Sequence, residues 1–193
     1  YNPSSGYRAG RGAKGAIEKA REQVASLIGA SPEEIVFTGC GTESNNMALK
    51  SLARGMGRQN TKIVVSEIEH SAVLRPTEAM AAAGYEVEQV TTDGEGRLDL
   101  GAFEEAVSSE KPGFASIMWA NNETGVVQPM LEVCQITKSA GWSVHTDAIQ
   151  AVGKLPVRVD EVGVDFLSIS GHKFHAPKGI GCLFIRKNSP FQP

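Results

Sequence analysis

The sequence predicts an α/β domain built on a mostly parallel seven-stranded sheet with helices on both faces. Short apolar runs alternate along the chain with stretches whose apolar residues recur at helical spacing, the pattern of strands joined by crossover helices. The last two apolar runs, 166–170 and 181–185, leave no room for a helix between them. We therefore expect those two strands to form a hairpin-like pair within the sheet.

The first predicted element is a surface helix over residues 15–29. Its apolar residues fall on one helical face, and charged or amide residues occupy the opposite face. The apolar positions are Ile17, Ala20, Val24, Leu27 and Ile28. Gly29 is expected to end the helix, because glycine readily adopts the left-handed conformation found at helix C-termini.

Strands and helices then follow in strict alternation as far as residue 146, and two further strands come after them. The predicted strands are residues 35–37, 62–66, 87–91, 115–120, 143–146, 166–170 and 181–185. The predicted helices between them are residues 43–54, 72–83, 101–108 and 131–140. In open α/β sheets ligands bind beyond the carboxyl ends of the strands, so the polar residues after each apolar run are the candidate site residues.

Length and charge limit the classes of protein to consider. With 193 residues and 41% hydrophobic content, the chain is expected to form one domain over residues 1–193. A net charge of -3 without a block of like charges disfavours a nucleic-acid or anionic-membrane partner. No apolar run approaches the roughly 20 residues needed to cross a bilayer. Because the sequence lacks an initiator methionine and has polar ends, we expect an excerpt of a longer protein.

The cysteines indicate a reducing environment. Cys40, Cys134 and Cys182 are widely spaced and include no CxxC pair. This pattern argues against a disulfide framework or a structural zinc site, and it favours a cytoplasmic setting.

The turn after the first strand is a candidate phosphate site. Its residues, TGCGTES at 38–44, lead into a helix whose first backbone N–H groups are free to meet an anion. The Gly-Lys-Ser/Thr ending of a Walker A loop is absent, and Ser44 stands where the dinucleotide fingerprint needs a third glycine. A plain helix capped by Thr42 is the alternative.

Polar side chains also follow the second, fourth and fifth strands. His70 precedes a predicted helix, and Asn121 and Asn122 follow the fourth apolar run. Taken singly, such a histidine is more often a surface or packing residue, and such asparagines are more often a turn. Asp147 and Gln150 lie about one helical turn apart, so at the start of a helix both could face one ligand. A helix-capping aspartate is the alternative for Asp147.

Lys173 follows the sixth strand, within SISGHKFHAPKGIGC at residues 168–182. Loss of hydration inside a pocket favours the neutral amine of a lysine, which is a nucleophile towards a carbonyl group. A solvated lysine at an ordinary strand exit is the alternative. A metal site formed by His172, His175 and Asp147 is disfavoured, because no ligand-rich helix accompanies these residues.

Together, the five strand ends predict a site for pyridoxal 5'-phosphate. They offer a helix N-terminus that can bind a phosphate, a flat imidazole that can stack on a ring, hydrogen-bond donors, a carboxylate and an amine. Pyridoxal phosphate needs that set, because its phosphate must be held, its aldehyde meets a lysine, its 3-oxygen accepts hydrogen bonds and its ring nitrogen is kept protonated by a carboxylate.

Five segments of the chain form a more specific signal. They are GCGTESNN, EHSAV, MWANNETGVVQP, HTDAIQAVGKLP and SGHKFHAPKGIG. In order and spacing they resemble the cysteine desulfurases, particularly the nitrogenase-associated type, of the class-V aminotransferase family. The resemblance runs from NPSS at residues 2–5 to the end of the chain. It implies the large, cofactor-binding domain of pyridoxal-phosphate fold type I, with the small domain largely absent from this chain.

The resemblance implies a role for each matching residue. Lys173 would hold the cofactor covalently and later carry the alpha proton of the substrate. Asp147 would pair with the ring nitrogen, and His70 would stack on the ring and exchange protons with the substrate. Gln150 and Asn122 would contact the 3-oxygen region of the cofactor, and Asn122 would also lie near the substrate carboxylate. The residues that would hold the phosphate are Gly41, Thr42, Ser170 and His172.

The resemblance also implies a reaction and partners. L-cysteine would yield its sulfur to an enzyme thiolate, leaving alanine, and a homodimer would pass that sulfur to a scaffold protein for iron–sulfur cluster assembly. The family places the sulfur-accepting cysteine beyond residue 193, so none of the cysteines named above is expected to carry sulfur. The excerpt alone is therefore expected to be inactive. Tyr1 stands where the family has a glycine before Asn2.

Two other functions stay open from the sequence. A selenocysteine lyase, or another pyridoxal-phosphate lyase, would share the fold and the cofactor. A non-catalytic assembly module would keep the fold for protein contacts. The length of the loop that carries the sulfur-accepting cysteine would distinguish a selenocysteine lyase from a desulfurase. An unchanged cofactor spectrum in a Lys173→Ala variant would favour the non-catalytic module.

Overall fold

The structure, a computed structural model, describes residues 2–4, 7–57 and 61–192. Tyr1 and the last residue of the NPSS segment, Ser5, lie outside the described residues.

A seven-stranded sheet forms the centre of the described part of the chain. Its strands are β1 (Ile35–Thr38), β2 (Lys62–Ser66), β3 (Glu86–Val90), β4 (Gly113–Ser116), β5 (Ser143–Asp147), β6 (Phe166–Ser170) and β7 (Gly181–Ile185). The strand order is β1-β7-β6-β5-β4-β2-β3. Strand β7 is antiparallel to both neighbours, β1 and β6, and the other pairs are parallel. The predicted sheet, including its hairpin-like pair, is confirmed.

Helices cover both faces of this sheet. They are α1 (Arg8–Ile28), α2 (Gly41–Met56), α3 (Ser71–Ala82), α4 (Leu100–Val107), α5 (Met130–Ser139) and the single turn α6 (Val159–Val162). Within the described residues, none of them combines the length and the apolar character needed to cross a membrane. The short helix α6 was not predicted, because four residues cannot display a helical period.

The alternation of side chains along β2 separates two apolar cores. Ile63 and Val65 pack with Leu49 of α2 on one face of the sheet. Val64, which lies between them in sequence, belongs to the core on the opposite face, together with Phe103 of α4. Successive strand residues point to opposite faces, so a strand buried on both sides reads as a continuous apolar run. Both faces are therefore filled, and the polar strand ends are left at one edge.

Helix α1 begins earlier than the sequence predicts. It starts at Arg8 rather than at residue 15, and it ends before Gly29, whose φ of 72° is in the left-handed region. Gly12 and Gly15 gave this segment the composition of a loop, yet a Cβ at either position would meet nothing within 4 Å. These glycines lower the helix propensity without breaking the helix.

The fourth strand is shorter than the sequence predicts and begins earlier. It spans Gly113–Ser116 rather than residues 115–120. Glycine is required at its start, because a Cβ at this position would lie 2.7 Å from the Trp142 ring. Beyond the strand, Ile117 and Trp119 still donate backbone hydrogen bonds of 3.1 and 2.9 Å to carbonyl groups of β5. The apolar run thus continues past the regular ladder towards the edge where the site lies.

Candidate active site

A cavity of about 210 Å³ opens at the carboxyl ends of the parallel strands. Its lining residues are Cys40, Gly41, Thr42, His70, Met118, Ala120, Asn122, Asp147, Ile149, Gln150, Ser170, His172 and Lys173. Every residue that the sequence assigned to a cofactor contact is among them. Five strand ends that are far apart in sequence therefore meet around one cavity, as the parallel topology requires.

The N-terminus of α2 forms one wall of this cavity. The helix begins at Gly41, and its N-cap residue is Cys40, whose side chain makes no capping hydrogen bond. The alternative in which Thr42 caps a plain helix is therefore wrong. Without a capping side chain, the first N–H groups and the positive end of the helix dipole are available to an anion.

Gly41 is required by the close approach of neighbouring chain segments. A Cβ at this position would collide with the end of the Ile149 side chain and would lie 3.1 Å from the Ser170 Cβ. The turn before it is held by hydrogen bonds of 2.8 Å between the Thr38 and Ser44 hydroxyl groups and 3.1 Å from the Thr38 hydroxyl to the Cys40 carbonyl. The helix terminus is thus fixed before any ligand arrives.

A 3-10 turn, Gly171–Phe174, carries His172 and Lys173 away from the end of β6. The Ser170 hydroxyl lies 3.1 Å from His172 Nδ1, so these two side chains are held together beside the α2 terminus. His175 ends the turn with a φ of 72°. Lys173 lines the cavity but stays exposed, so the expected loss of hydration is not present in this chain. Its amine is placed by the backbone turn rather than by burial.

Asp147, the last residue of β5, is buried with 4% of its surface exposed. Its Oδ1 accepts a 3.0 Å hydrogen bond from Ile149 N, and its Oδ2 accepts a 2.7 Å hydrogen bond from Asn45 Nδ2. Residues 148–151 form a turn, so the expectation that Asp147 and Gln150 begin a helix is wrong. The tight turn brings both residues to the cavity in place of a helix face.

Burial raises the pKa of Asp147 above its usual range, while the hydrogen bonds from Ile149 and Asn45 and the nearby His70 act in the opposite direction. Desolvation disfavours the charged form of a carboxyl group, and a cation in contact with it restores that form. The site therefore gains most when a positively charged group binds against Asp147.

The ring of His70 is fixed by the backbone that follows it. His70 is the N-cap residue of α3, and its Nδ1 accepts a 3.0 Å hydrogen bond from Ala72 N. Because Nδ1 is the acceptor, the neutral ring carries its proton on Nε2. The capping bond orients an exposed imidazole at the cavity without using the nitrogen that carries the proton.

The two asparagines after the fourth strand have different roles: one forms the turn, and the other lines the cavity. Asn121 is buried and forms the turn, since its Oδ1 accepts hydrogen bonds of 2.8 Å from Glu123 N and 2.9 Å from Thr124 N. Its Nδ2 also donates to the Ile68 carbonyl at 3.1 Å, which ties this turn to the segment carrying His70. Asn122 is left free to line the cavity.

Sequence reasoning missed two buried residues behind the cavity, Asn45 and Glu69. Asn45 falls on the buried stripe of α2, so a polar residue at a core position was the available signal. Glu69 lies in the turn before His70, where a glutamate is normally solvated, and no sequence signal identifies its burial. Its exposed fraction is 5%, and burial raises its pKa to about 8. We call Glu69 and Asp147 the buried carboxylate pair.

The described residues offer no alternative metal centre, and two of the three cysteines are buried. They contain no group of three or more His, Cys, Asp or Glu side chains that could hold a metal ion, and His172, His175 and Asp147 do not form one. Cys134 and Cys182 are buried, and burial raises the pKa of each thiol to about 12. Cys40 is half-buried at the cavity wall.

Known proteins of one family resemble this chain over its whole length. The family model described as aminotransferase class-V matches residues 2–193. The cysteine desulfurase IscS of Dictyoglomus turgidum is 46% identical over 192 residues, which are 100% of this chain and 48% of that protein. The chain thus spans about half the length of the curated relatives it matches.

Solved structures agree with this comparison. A structure titled as a NifS-like protein superimposes with a TM-score of 0.96 at 41% identity, covering 100% of this chain and 53% of that one. A structure titled SspA in complex with cysteine gives a TM-score of 0.96 at 37% identity, covering 100% of this chain and 56% of that one. The fold of this chain is therefore that of these solved structures over its whole length.

Proposed function

The chain belongs to the aminotransferase class-V family, and from this premise we propose that it is the cofactor-binding large domain of a cysteine desulfurase. The family's enzymes depend on pyridoxal phosphate. The observation that carries the proposal is the single cavity in which Lys173, His70 and Asp147 meet at the ends of different strands. The proposed domain comprises residues 1–193 of a longer protein.

The residues present fit pyridoxal phosphate. Gly41 leaves room where a Cβ would collide with Ile149, so the backbone of the α2 terminus stays accessible. We assign the phosphate to this terminus together with Thr42, Ser170 and His172, because free N–H groups and hydroxyl or imidazole donors suit an anion. When bound, the cofactor supplies an electron sink that stabilises the carbanion formed at the substrate's alpha carbon.

The chain's own residues then orient the ring and move protons. Asp147 would accept a hydrogen bond from the ring nitrogen and keep that nitrogen protonated, since its two oxygens are already aligned by Asn45 and the Ile149 N–H. His70 would lie against the ring face and exchange a proton through Nε2. Lys173 Nζ would be the covalent anchor and, once released, would take the alpha proton of the substrate.

The amide side chains would set the orientation of both ring and substrate. Gln150 Oε1 accepts a hydrogen bond from Lys154 Nζ, which leaves the Gln150 amide N–H groups as donors for the 3-oxygen of the ring. Asn122 would donate to the same region and to the substrate carboxylate, because Asn121 takes over the turn-forming task beside it.

The proposed substrate is L-cysteine, and the products are alanine and enzyme-bound sulfur. The names of the relatives support this substrate, and so does the cysteine complex of the similar SspA structure. We propose that the whole protein is a cytoplasmic homodimer that passes sulfur to an iron–sulfur scaffold protein. The sulfur-accepting cysteine is proposed to lie outside residues 1–193. Cys134 and Cys182 are buried with raised pKa values, and Cys40 is the N-cap residue of α2, within the turn assigned to the phosphate.

Covalent trapping of the cofactor tests the proposal. The full-length protein is incubated with pyridoxal phosphate, reduced with borohydride, digested and mapped by mass spectrometry. The label is expected on the Lys173 peptide and is expected to disappear in Lys173→Ala. Lys178→Ala is the matched control, since Lys178 is an exposed lysine nearby that does not line the cavity. A label that survives in Lys173→Ala, or that never forms, rejects the proposed role.

Turnover separates a desulfurase from a related lyase. The loaded full-length protein is expected to convert L-cysteine to alanine and to carry a persulfide that alkylation can trap. Release of selenide from selenocysteine without turnover of cysteine would instead identify a selenocysteine lyase. Normal cellular iron–sulfur assembly supported by Lys173→Ala would identify a non-catalytic module.

A further inference from the structure

Glu69 is a buried acid that the proposed reaction does not use directly. It lies in the turn between β2 and α3, immediately before His70, with 5% of its surface exposed. Among the residues that the structure describes, no lysine or arginine contributes to its electrostatic surroundings; the nearby charged group is Asp147. A buried carboxylate without a cation is costly, and a neighbouring carboxylate makes it more so.

The hydrogen bonds of Glu69 are asymmetric. Its Oε1 accepts hydrogen bonds of 2.6 Å from the Ser66 hydroxyl and 2.7 Å from Met118 N. Its Oε2 has no hydrogen-bond partner among the described residues. A carboxylate presents two equivalent acceptor oxygens, whereas a carboxylic acid has one carbonyl acceptor and one hydroxyl donor. Two donors converge on Oε1 and none from the described ranges reaches Oε2, so Oε2 is the oxygen that can carry a proton without losing an accepted hydrogen bond.

Asp147 shows the opposite arrangement. Both of its oxygens have a donor, Ile149 N for Oδ1 and Asn45 Nδ2 for Oδ2. Asn45 Oδ1 is in turn a buried acceptor without a donor in the described part of the chain. Within the buried carboxylate pair, Asp147 is therefore built to hold a charge, and Glu69 is built to hold a proton.

We propose that Glu69 is kept as a neutral carboxylic acid behind the cavity and acts as a positioning residue for His70 and Asp147. Its carbonyl oxygen joins the end of β2, through Ser66, to Met118 in the cavity wall. That junction fixes the turn from which His70 emerges. Its neutrality leaves Asp147 as the single negative charge of the pair, opposite the ring nitrogen. The protonation state stands on the contacts above, while the link to the ring nitrogen rests on the proposed function.

The groups that face Glu69 are those whose electrostatic surroundings would change if Glu69 ionised. They are Ser66 from β2, the Met118 N–H and Asp147 from β5. Within the pair, the hydrogen bonds to both oxygens of Asp147 favour the negative charge on Asp147. Ionisation of Glu69 would place a second negative charge beside Asp147, which would raise the proton affinity of both groups.

Infrared difference spectroscopy of the cofactor-free full-length protein tests the protonation state. The carbonyl stretch of a carboxylic acid is expected at neutral pH in the wild type and is expected to be lost in Glu69→Gln. Glu67→Gln is the matched control, because Glu67 lies in the same turn but is exposed, and its hydrogen bonds from Thr92 hold its pKa below the usual range. Absence of the band, or a band that persists in Glu69→Gln, overturns the proposal.

Cofactor binding tests the positioning role separately. Glu69→Gln keeps a neutral group that accepts from Ser66 and Met118, so its affinity for pyridoxal phosphate is expected to stay within about threefold of wild type. Glu69→Ala removes the acceptor and is expected to lose about tenfold. The pH dependence of the bound cofactor's absorbance is expected to differ between the wild type and Glu69→Gln, because only the wild type can place a second negative charge beside Asp147.

The outcomes separate this inference from the proposed function. A tenfold loss in Glu69→Gln would mean that the charge is required, which overturns the neutral-acid proposal. An affinity of Glu69→Ala equal to wild type overturns the positioning role. Failure of the wild type to bind pyridoxal phosphate contradicts the proposed function and removes the link to the ring nitrogen, while the infrared result still decides the protonation state.

Discussion

Asn45 Nδ2 donates a 2.7 Å hydrogen bond to Asp147 Oδ2, joining helix α2 to the end of β5 across 102 residues of sequence. Asn45 has no exposed surface, and Asp147 has 4%. The same helix also supplies the N-terminus proposed to hold the phosphate. One rigid element therefore contributes to both ends of the cofactor site, so displacement of α2 would disturb the phosphate contact and the carboxylate together.

Substitution of Asn45 by alanine is expected to weaken cofactor binding and to destabilise the fold. It removes a donor from a buried acid, which costs about 1 to 3 kcal/mol in the free energy of unfolding. We expect an affinity for pyridoxal phosphate at least about tenfold lower than in wild type, measured by titration of the absorption band. Asn46→Ala is the control, because Asn46 Nδ2 donates only to the Thr42 carbonyl of its own helix. Equal losses in both variants would show that the Asp147 contact has no special importance.

Gly41→Ala is expected to abolish cofactor binding through a steric effect. The added Cβ would collide with Ile149 and crowd Ser170, so the α2 terminus must shift away from the phosphate position. The dissociation constant is measured by absorbance titration. A second change, Ile149→Ala, removes the colliding atoms and is expected to restore part of the affinity.

Gly15→Ala is the matched control for this change. Gly15 lies inside α1, and a Cβ there would meet nothing within 4 Å. Alanine is favoured over glycine in a helix interior, so stability is expected to rise by up to about 1 kcal/mol with cofactor affinity unchanged. Wild-type affinity in Gly41→Ala would contradict the packing argument.

The sheet and the grouping of site residues were predictable because they follow from periodicity and topology. Apolar runs such as 62–66 and 166–170 coincide with β2 and β6, and parallel strand ends must meet at one edge. The boundaries of α1 and β4 were not, because glycine reads as a loop signal whether it breaks an element or, as at Gly113, permits a close approach.

The buried partners of the site could not be predicted for a different reason. Glu69 is buried beside Met118, which follows β4 and lies 49 residues away in sequence, and a local pattern does not record such long-range packing. The exposure of Lys173 was missed for the same reason, since the 3-10 turn after β6 carries the side chain to the mouth of the cavity. Sequence pattern thus identifies the chemistry of these residues better than their burial.

Thiol labelling is expected to distinguish the cysteines of this chain. Burial raises the pKa of Cys134 and Cys182 to about 12, so at neutral pH only about one thiol in 10⁵ is a thiolate, and neither is accessible. Alkylation of the native full-length protein, followed by peptide mapping, is expected to leave both unmodified until denaturant is added. The Cys40→Ser variant identifies how much of the native labelling belongs to the half-buried Cys40. Rapid native labelling of Cys134 or Cys182 would reopen the possibility that one of them carries sulfur.

His145 is expected to make the protein sensitive to acid. The ring has no exposed surface and lies between two hydroxyl groups, with Ser116 Oγ 2.8 Å from Nδ1 and Ser168 Oγ 3.0 Å from Nε2. Burial lowers its pKa from 6.5 to about 3. Below pH 6.5 the unfolded chain therefore binds a proton that the folded chain does not, and stability falls as the pH is lowered towards 3. The slope is up to about 1.4 kcal/mol per pH unit.

His145→Gln removes this titration while keeping a polar side chain between the two serines. Urea unfolding between pH 3 and 6.5 is expected to give a shallower pH dependence for this variant than for the wild type. His175→Asn is the matched control, because His175 is exposed and its φ of 72° is tolerated by asparagine. The control is expected to follow the wild-type curve. If His145→Gln keeps the full wild-type slope, the loss of stability in acid must come from the carboxyl groups, and His145 contributes only packing.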